Sequence, residues 1–258
     1  MLKNARYSDA VGTRLHWLAA QVAYLTGWMA YDAGLKSAGQ QHYVAALRSA
    51  QASGDDDLGA FVLAEMGVHI SETGQDGERV TLVETALSKG PAKLPSSTCS
   101  FLHLHRAVAL SRQGDHRRAA AALHLSETSW DRSNGHRSDW LSWYGEGQIA
   151  SSRGKVLLRS GQVDKATRAL ADSIEKAVPR DQAVRSGRLA QARLEGKDLH
   201  GALDAANRGL ALLEERVSSA RAVECLAAFS SKLGSYKKVP AVREFRDRLK
   251  ALPEVAAA

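Results

Sequence analysis

A turn led by glycine recurs along this chain at nearly constant spacing, and no other feature restricts its folding as strongly. Five residues after Gly34, Gly74, Gly114, Gly161 and Lys197 (which follows Gly196) come Gly39, Arg79, Ala119, Ala166 and Ala202. The turns are separated by 40, 40, 47 and 36 residues, the length of one helix–turn–helix unit. Glycine takes the left-handed conformation that ends a helix, and a small residue five positions on lets a second helix approach the first closely. The register extends in both directions. Twelve residues before each small position stand Gly27, Gly67, Ala107, Gly154 and Ala190. Four residues after it come Tyr43, Val83, Leu123, Leu170 and Ala206, and three further on Ala46, Ala86, Ser126, Ser173 and Gly209. Arg79 breaks the small-residue rule. It predicts either a splayed second hairpin or an arginine whose stem lies on apolar surface while its head reaches water.

This order of small and large positions is that of a tetratricopeptide (TPR) hairpin. The expectation is an all-α, TPR-like α-α superhelix: a single domain over 1–258, a right-handed solenoid of five hairpins at 16–53, 58–90, 97–130, 140–178 and 182–216, then capping helices over 218–252. Composition agrees. The chain has 43 Ala and 31 Leu against 17 Val and 3 Ile, so the best helix formers far outnumber the residues that favour pleated sheets. Pro91, Pro95, Pro179, Pro240 and Pro253 fall between the helical runs, where the missing N–H does no harm. Asp55, Asp56 and Asp57 read as the cap and first-turn acids of a helix beginning near Leu58. The stretch from Trp130 to Trp140, with Asn134-Gly135, is the one long connection and accounts for the 47-residue interval.

Lys and Arg exceed Asp and Glu by seven. Seven basic residues (Lys232, Lys237, Lys238, Arg243, Arg246, Arg248 and Lys250) crowd the stretch before the C-terminus, against Glu244 and Asp247. They read as a solvated helix face, with a nucleic-acid contact as the alternative. Tyr236 and Phe245 are the sole aromatics among them, too few for a base-stacking platform. Cys99 and Cys225 stand far apart with no Cys-x-x-Cys partner, which fits a reducing cytoplasm and excludes a disulfide framework or zinc knuckle. Lys3 and Arg6 precede an apolar run from Trp17 to Tyr31. Gln21, Thr26 and Gly27 interrupt that run, so it reads as a buried helix rather than a signal peptide or a membrane span.

Motifs that carry chemistry are scarce. Gly145-x-Gly147-x-x-Ala150 matches a relaxed dinucleotide fingerprint, but the aromatic cluster Trp140–Tyr144 precedes it where an apolar strand is required. Cys99 and His103, four apart and so on one face of a helix, are candidates for a thiolate pair or for two metal ligands, but no third ligand or orienting carboxylate is close in sequence, so packing is the simpler role. Metalloprotease, P-loop and nucleophile-elbow patterns are missing. No residue is assigned a catalytic or metal-binding role, and no cofactor is expected.

The run from Tyr7 to Gly34 (YSDAVGTRLHWLAAQVAYLTGWMAYDAG) resembles a segment of actinobacterial transcriptional regulators of the helix-turn-helix plus TPR type. So do Ser219–Glu224 (SARAVE) and Val239–Phe245 (VPAVREF). The likeness covers about residues 7–250 and implies the C-terminal helical-repeat domain of such a regulator, which in that family follows a DNA-binding domain and a connecting helical segment. Here the connecting segment reads as truncated and the DNA-binding domain as absent, so direct DNA contact is not expected.

In TPR-like solenoids the first helix of each pair lines the inner wall. The register places Tyr24, Trp28, Tyr31 and Asp32 there from the first repeat, and Phe61, Val68 and Glu72 from the second. The third contributes Phe101, Leu104, Val108 and Arg112; the fourth Tyr144, Gln148, Ser151, Lys155 and Arg159; the fifth Gln191 and Glu195. Such a lining grades from aromatic surface to a basic patch at Arg112, Lys155 and Arg159, suited to a peptide, a protein or a small acidic ligand. The expected function is therefore a ligand- or protein-binding module in transcriptional regulation, acting through the groove and self-association. Leu15, Trp17 and Leu18 are expected to be uncovered and to support a homodimer. Nucleic-acid binding through the C-terminal helices, or an enzyme built on a helical scaffold, are the alternatives.

Overall fold

In the computed structural model the described residues are 7–71, 76–90, 92–215 and 217–252. Lys3, Arg6, Glu72, Gly74, Pro91 and Pro253, all used above, lie outside them. The described residues form helices and no strand. The helices are α1 (Asp9–Asp32), α2 (Lys36–Ser53), α3 (Asp56–Ser71), α4 (Asp76–Leu87), α5 (Ser96–Arg112), α6 (His116–Ser133), α7 (Glu146–Arg159), α8 (Val163–Glu175), α9 (Pro179–Glu195), α10 (Leu199–Glu215), α11 (Ala220–Lys232) and α12 (Pro240–Lys250). They group into two compact units that divide between Gly145 and Glu146, at the end of the long connection. In the first unit α1–α2, α3–α4 and α5–α6 pair, and α1, α3 and α5 lie side by side. In the second α7–α8 and α9–α10 pair, α9 lies beside both α7 and α11, and α12 packs on α10 and α11.

Four turns share one geometry. Gly34, Gly114, Gly161 and Lys197 adopt φ between 66° and 82°. Beyond them Leu35, Asp115, Gln162 and Asp198 donate their N–H groups to the carbonyls of Ala30, Leu110, Leu157 and Arg193 at 2.8–3.0 Å. This six-to-one bond satisfies a carbonyl the helix end would leave bare. Gly54 (φ 70°) repeats the device between α2 and α3. At the fifth hairpin the left-handed residue is Lys197 itself, while Gly196 keeps φ −75°.

The small positions touch as the register requires. A Cβ on Gly27 would lie 3.2 Å from the Gly39 carbonyl oxygen and the Tyr43 ring, and one on Gly154 would lie 2.5 Å from Leu170 Cγ and 3.2 Å from the Ala166 carbonyl oxygen. Ala107, Ala119, Ala190 and Ala202 have no exposed surface, and Tyr43, Val83, Leu123, Leu170 and Ala206 are buried beside them.

Arg79 corrects both alternatives offered for it. The hairpin is not splayed, since a Cβ on Gly67 would lie 3.0 Å from Arg79 Cγ and 3.4 Å from its Cα. Nor does the head reach water, because the whole side chain is buried. Gly67 vacates room for the stem, and the guanidinium turns inward to His105.

Helix boundaries follow local chemistry. Asp55 caps α3 by accepting the Leu58 N–H at 2.9 Å. Pro179 and Pro240 are the first residues of α9 and α12 rather than spacers between helices, a position where proline's fixed φ is already helical. Leu226, Phe229, Val242, Phe245 and Leu249 of α11 and α12 seal the second unit's core.

Two substitutions check this packing. Gly154→Ala should cost about 1–3 kcal/mol, read as a lower urea midpoint at unchanged m value, because Leu170 and the α8 backbone must give way. Lys197→Gly should gain up to about 1 kcal/mol in the same assay, because it removes a side chain from a left-handed residue.

Candidate functional site

The inner face of the first unit is built from residues three, four and seven apart on α1, α3 and α5. α1 presents Trp17, Tyr24 and Tyr31; α3 presents Asp57, Phe61, Glu65 and Val68; α5 presents Thr98, Phe101, His105, Val108 and Arg112. Their rings stack through the unit: Tyr43 on Tyr24 (6.0 Å between centroids), Tyr24 on Phe61 (4.6 Å), Phe61 on Phe101 (5.3 Å) and Phe101 on Tyr144 (5.4 Å). Tyr24–Phe61 and Phe101–Tyr144 meet edge-to-face and the other two pairs are tilted, and such contacts add stability beyond the area they bury.

The long connection lies across the start of that face. Ser138 Oγ donates to Asp57 Oδ2 at 2.5 Å. Trp140 meets Trp17 edge-on with centroids 6.2 Å apart, and Trp143 meets Phe101 at 5.8 Å. Leu141 and Tyr144 are fully buried. The Tyr144 hydroxyl is bonded to Ser100 Oγ at 2.8 Å, Ser126 Oγ donates to the Ser100 carbonyl at 2.8 Å, and the Arg137 guanidinium donates to the Tyr144 carbonyl. Burial raises the Tyr144 phenol above its ordinary pKa. Burial and the nearby Glu65 raise that of Tyr24 too, opposed by the Trp143 indole N–H.

At the other end of the face lies a buried polar knot. His105 stands between Glu65 (Nε2 to Oε1, 4.0 Å) and Arg79 (Nδ1 to Nη2, 3.2 Å). The His69 ring sits 4.0 Å from Tyr31 and 4.6 Å from Tyr43, and Asp32, next to Tyr31 in the chain, is buried. Desolvation draws the Arg79 pKa down to about 10, with Glu65 opposing. A buried charge network of this sort favours one arrangement of helices, because any slip strands a charge.

These facts locate the expected groove residues. Phe61, Phe101, Leu104 and Tyr144 are core, with at most 2% of their surface exposed, and Tyr24, Tyr31 and Val108 are buried. Trp28 is half-buried. The aromatic half that the register offered to a ligand is thus filled by the protein's own side chains. Arg112 is exposed, and its Nε donates to Asp76 Oδ1 at 2.7 Å, which answers its charge within the first unit. Trp17 is not uncovered either: its indole donates to Asp55 Oδ2 at 3.1 Å and Arg14 stacks over its ring at 4.0 Å.

Gln148, Ser151, Lys155 and Arg159 share one face of α7 in the second unit. The face continues onto α9, where Arg185 Nη2 donates to Gln148 Oε1 at 2.5 Å and Arg188 Nη1 to Ser151 Oγ at 3.4 Å. It reaches α11 through Gln191, which donates to the Cys225 carbonyl at 3.2 Å. Asp181 lies 3.7 Å from Arg185 and 3.6 Å from Arg221, and Glu195 pairs with Lys232 at 3.1 Å. Basic groups outnumber acidic ones along α7 and α9 here, and the acids that intervene are already paired. Lys155 is half-buried and Arg159 exposed.

The register missed Ser138 and Trp140, which cover the first unit, the Asp57 that Ser138 bonds, and the arginines Arg185 and Arg188 of the second. The surplus length of the 47-residue interval, with its tryptophans, was the available signal for the former. Cys99 and His103 do not make a reactive pair. Burial raises the Cys99 thiol pKa, helped by Asp57, and lowers that of His103, helped by Arg106, so both stay neutral. Among the described residues no cluster of three or more metal-ligating side chains occurs, and no helix is long and apolar enough to cross a membrane. Lys232 and Arg248 of the basic C-terminal stretch pair with Glu195 and Glu214, and Arg246 donates to the Ser230 carbonyl.

No protein-family model and no curated protein matches the chain. Solved structures do. A thermophilic TPR protein of Thermus thermophilus superposes with a TM-score of 0.55 at 18% identity, over 83% of this chain and 98% of that one. MamA of Desulfovibrio magneticus (TM-score 0.44, 12% identity, 78% and 98% covered) and the TPR2AB domain of yeast Sti1 with pHSP90 (0.37, 16%, 93% and 92%) follow with lower scores. The fold is an all-α, TPR-like repeat of the α-α superhelical class.

Asp57 offers a pH test of the covering segment. Burial raises its pKa, against the bond from Ser138. The folded state therefore holds the proton more tightly than the unfolded one, and this contribution is present at low pH and lost as pH rises through the folded pKa. Asp57→Asn should gain in thermal midpoint over the wild type between about pH 4 and pH 7, with the curves closest at the acid end.

Proposed function

We propose that this chain is a binding module for proteins or peptides, and that the ligand's acidic groups sit on the α7–α9 face of the second unit. The observation that carries the reading is the row of Gln148, Lys155, Arg159 and Arg188 on the partly exposed side of α7 and α9, set over the buried Ser151 and Arg185 that bond to it across the helices. Arginine binds carboxylate in a planar, two-point fashion, and Arg188, held by Ser151 at 3.4 Å, loses little entropy on binding. The covered aromatic face of the first unit then serves as scaffold. The resemblance to helix-turn-helix plus TPR regulators supports a role in transcriptional regulation within the cytoplasm, with the module reporting a bound peptide to the machinery it accompanies.

Extended acidic peptides and their amidated, neutral counterparts, titrated by calorimetry, test the reading. The acidic set should bind and the neutral set should not, and affinity should fall with added salt. Arg159→Ala and Arg188→Ala should each weaken binding about tenfold, the cost of one charge-assisted hydrogen bond. Equal affinities across wild type and both variants would remove this face from the function.

A further inference from the structure

One face of α1 is apolar and bare. Val11, Leu15, Leu18, Val22, Leu25 and Met29 follow one another at alternating steps of four and three residues, the spacing of a seam where two helices interlock. Leu15 is half-buried, while Val11 (49%), Leu18 (44%), Val22 (65%), Leu25 (53%) and Met29 (59%) are exposed, and they make up much of the large hydrophobic surface left open among the described residues. They lie opposite Ala20 and Gly27, the buried side of the same helix. A helix apolar on two opposite sides is one that expects a cover on both. For α3 and α5 the preceding even helix supplies it, α2 on α3 and α4 on α5; among the described residues α1 opens the stack.

We propose that this face of α1 joins two copies of the chain, seam to seam about a two-fold axis. Three observations select a second copy as the occupant. The alternation runs unbroken through five turns of helix, so an identical helix offers knobs where this one has holes. Arg14 is the only Lys, Arg, Asp or Glu between Val11 and Met29, and its guanidinium is laid over Trp17. A partner selected by charge has nothing to read here, whereas two copies meet without like-charge repulsion. The five exposed side chains offer roughly 450 Å² per copy, so that with Leu15, Ala19 and Thr26 a pair reaches roughly the 1,000 Å² that separates a specific contact from a chance one. This inference is independent of the peptide-binding face, which lies in the other unit.

Sedimentation velocity on the full chain is the test. The wild type should sediment as a species of twice 27.8 kDa. Leu18→Glu and Leu25→Glu should each return it to the single mass while far-UV circular dichroism and the thermal midpoint of the diluted protein stay unchanged. Val44→Glu, an exposed apolar residue on α2 away from the seam, should leave the double mass in place. A wild type that stays at the single mass up to about 100 μM would overturn the proposal and leave the seam to a different protein or an upstream helix. A double mass that survives both α1 variants would overturn it as well.

Discussion

Each hairpin depends on two helices coming close enough for backbone to touch backbone. Gly27 meets Gly39 and Tyr43, where a methyl group would press its neighbours, and Gly154 meets Ala166 and Leu170, where a methyl group would clash. That approach is possible because both contact points are small and because the turn returns the chain at one fixed angle, locked by the bond from the residue after the left-handed position to the carbonyl five residues earlier. With the pair closed, the larger residue four places on can fall only into the space beside it, and the next pair stacks on the surface so formed. Interiors packed this tightly tolerate little change in volume, which is why the register persists while nearly every other residue varies from repeat to repeat.

The exception at Arg79 shows what the rule protects. A long side chain at a small position is accommodated because Gly67 faces it, and because the guanidinium finds His105 on the neighbouring helix, with Glu65 beyond. The result couples α3, α4 and α5 through charge rather than through close contact alone. Removing one member would strand the others away from water, so this hairpin is specified by a different kind of interaction from its neighbours.

The two units have put the same architecture to different uses. In the first, rings on α1, α3 and α5 are covered by Ser138, Trp140, Trp143 and Tyr144. In the second, the equivalent helices carry amides, hydroxyls and arginines that bond across the face, with Ser151 and Arg185 buried among them. Rings left on a face cost free energy until something apolar covers them, whereas polar groups there are satisfied by bonding to one another.

The sequence by itself determined the helical repeat. The glycine turns, the small positions seven residues before and five after them, and the Asp55 cap are local in origin, and among the described residues the folded chain keeps the pattern everywhere but at Arg79. It also marked residues 130–140 as surplus to one hairpin. What it left undecided was where that surplus lies. Trp140 reaches back 123 positions to Trp17, and Ser138 reaches back 81 to Asp57, and spacing along one chain carries no information about such contacts. The register therefore assigned Phe61, Phe101 and Tyr144 to an open wall, when the folded chain closes over them. The division of basic residues was likewise tertiary. Arg112 is answered by Asp76 from the preceding helix, and Arg185 and Arg188 join Gln148 and Ser151 from the preceding pair, because charge partners are chosen by distance in space and only helices already stacked can set that distance.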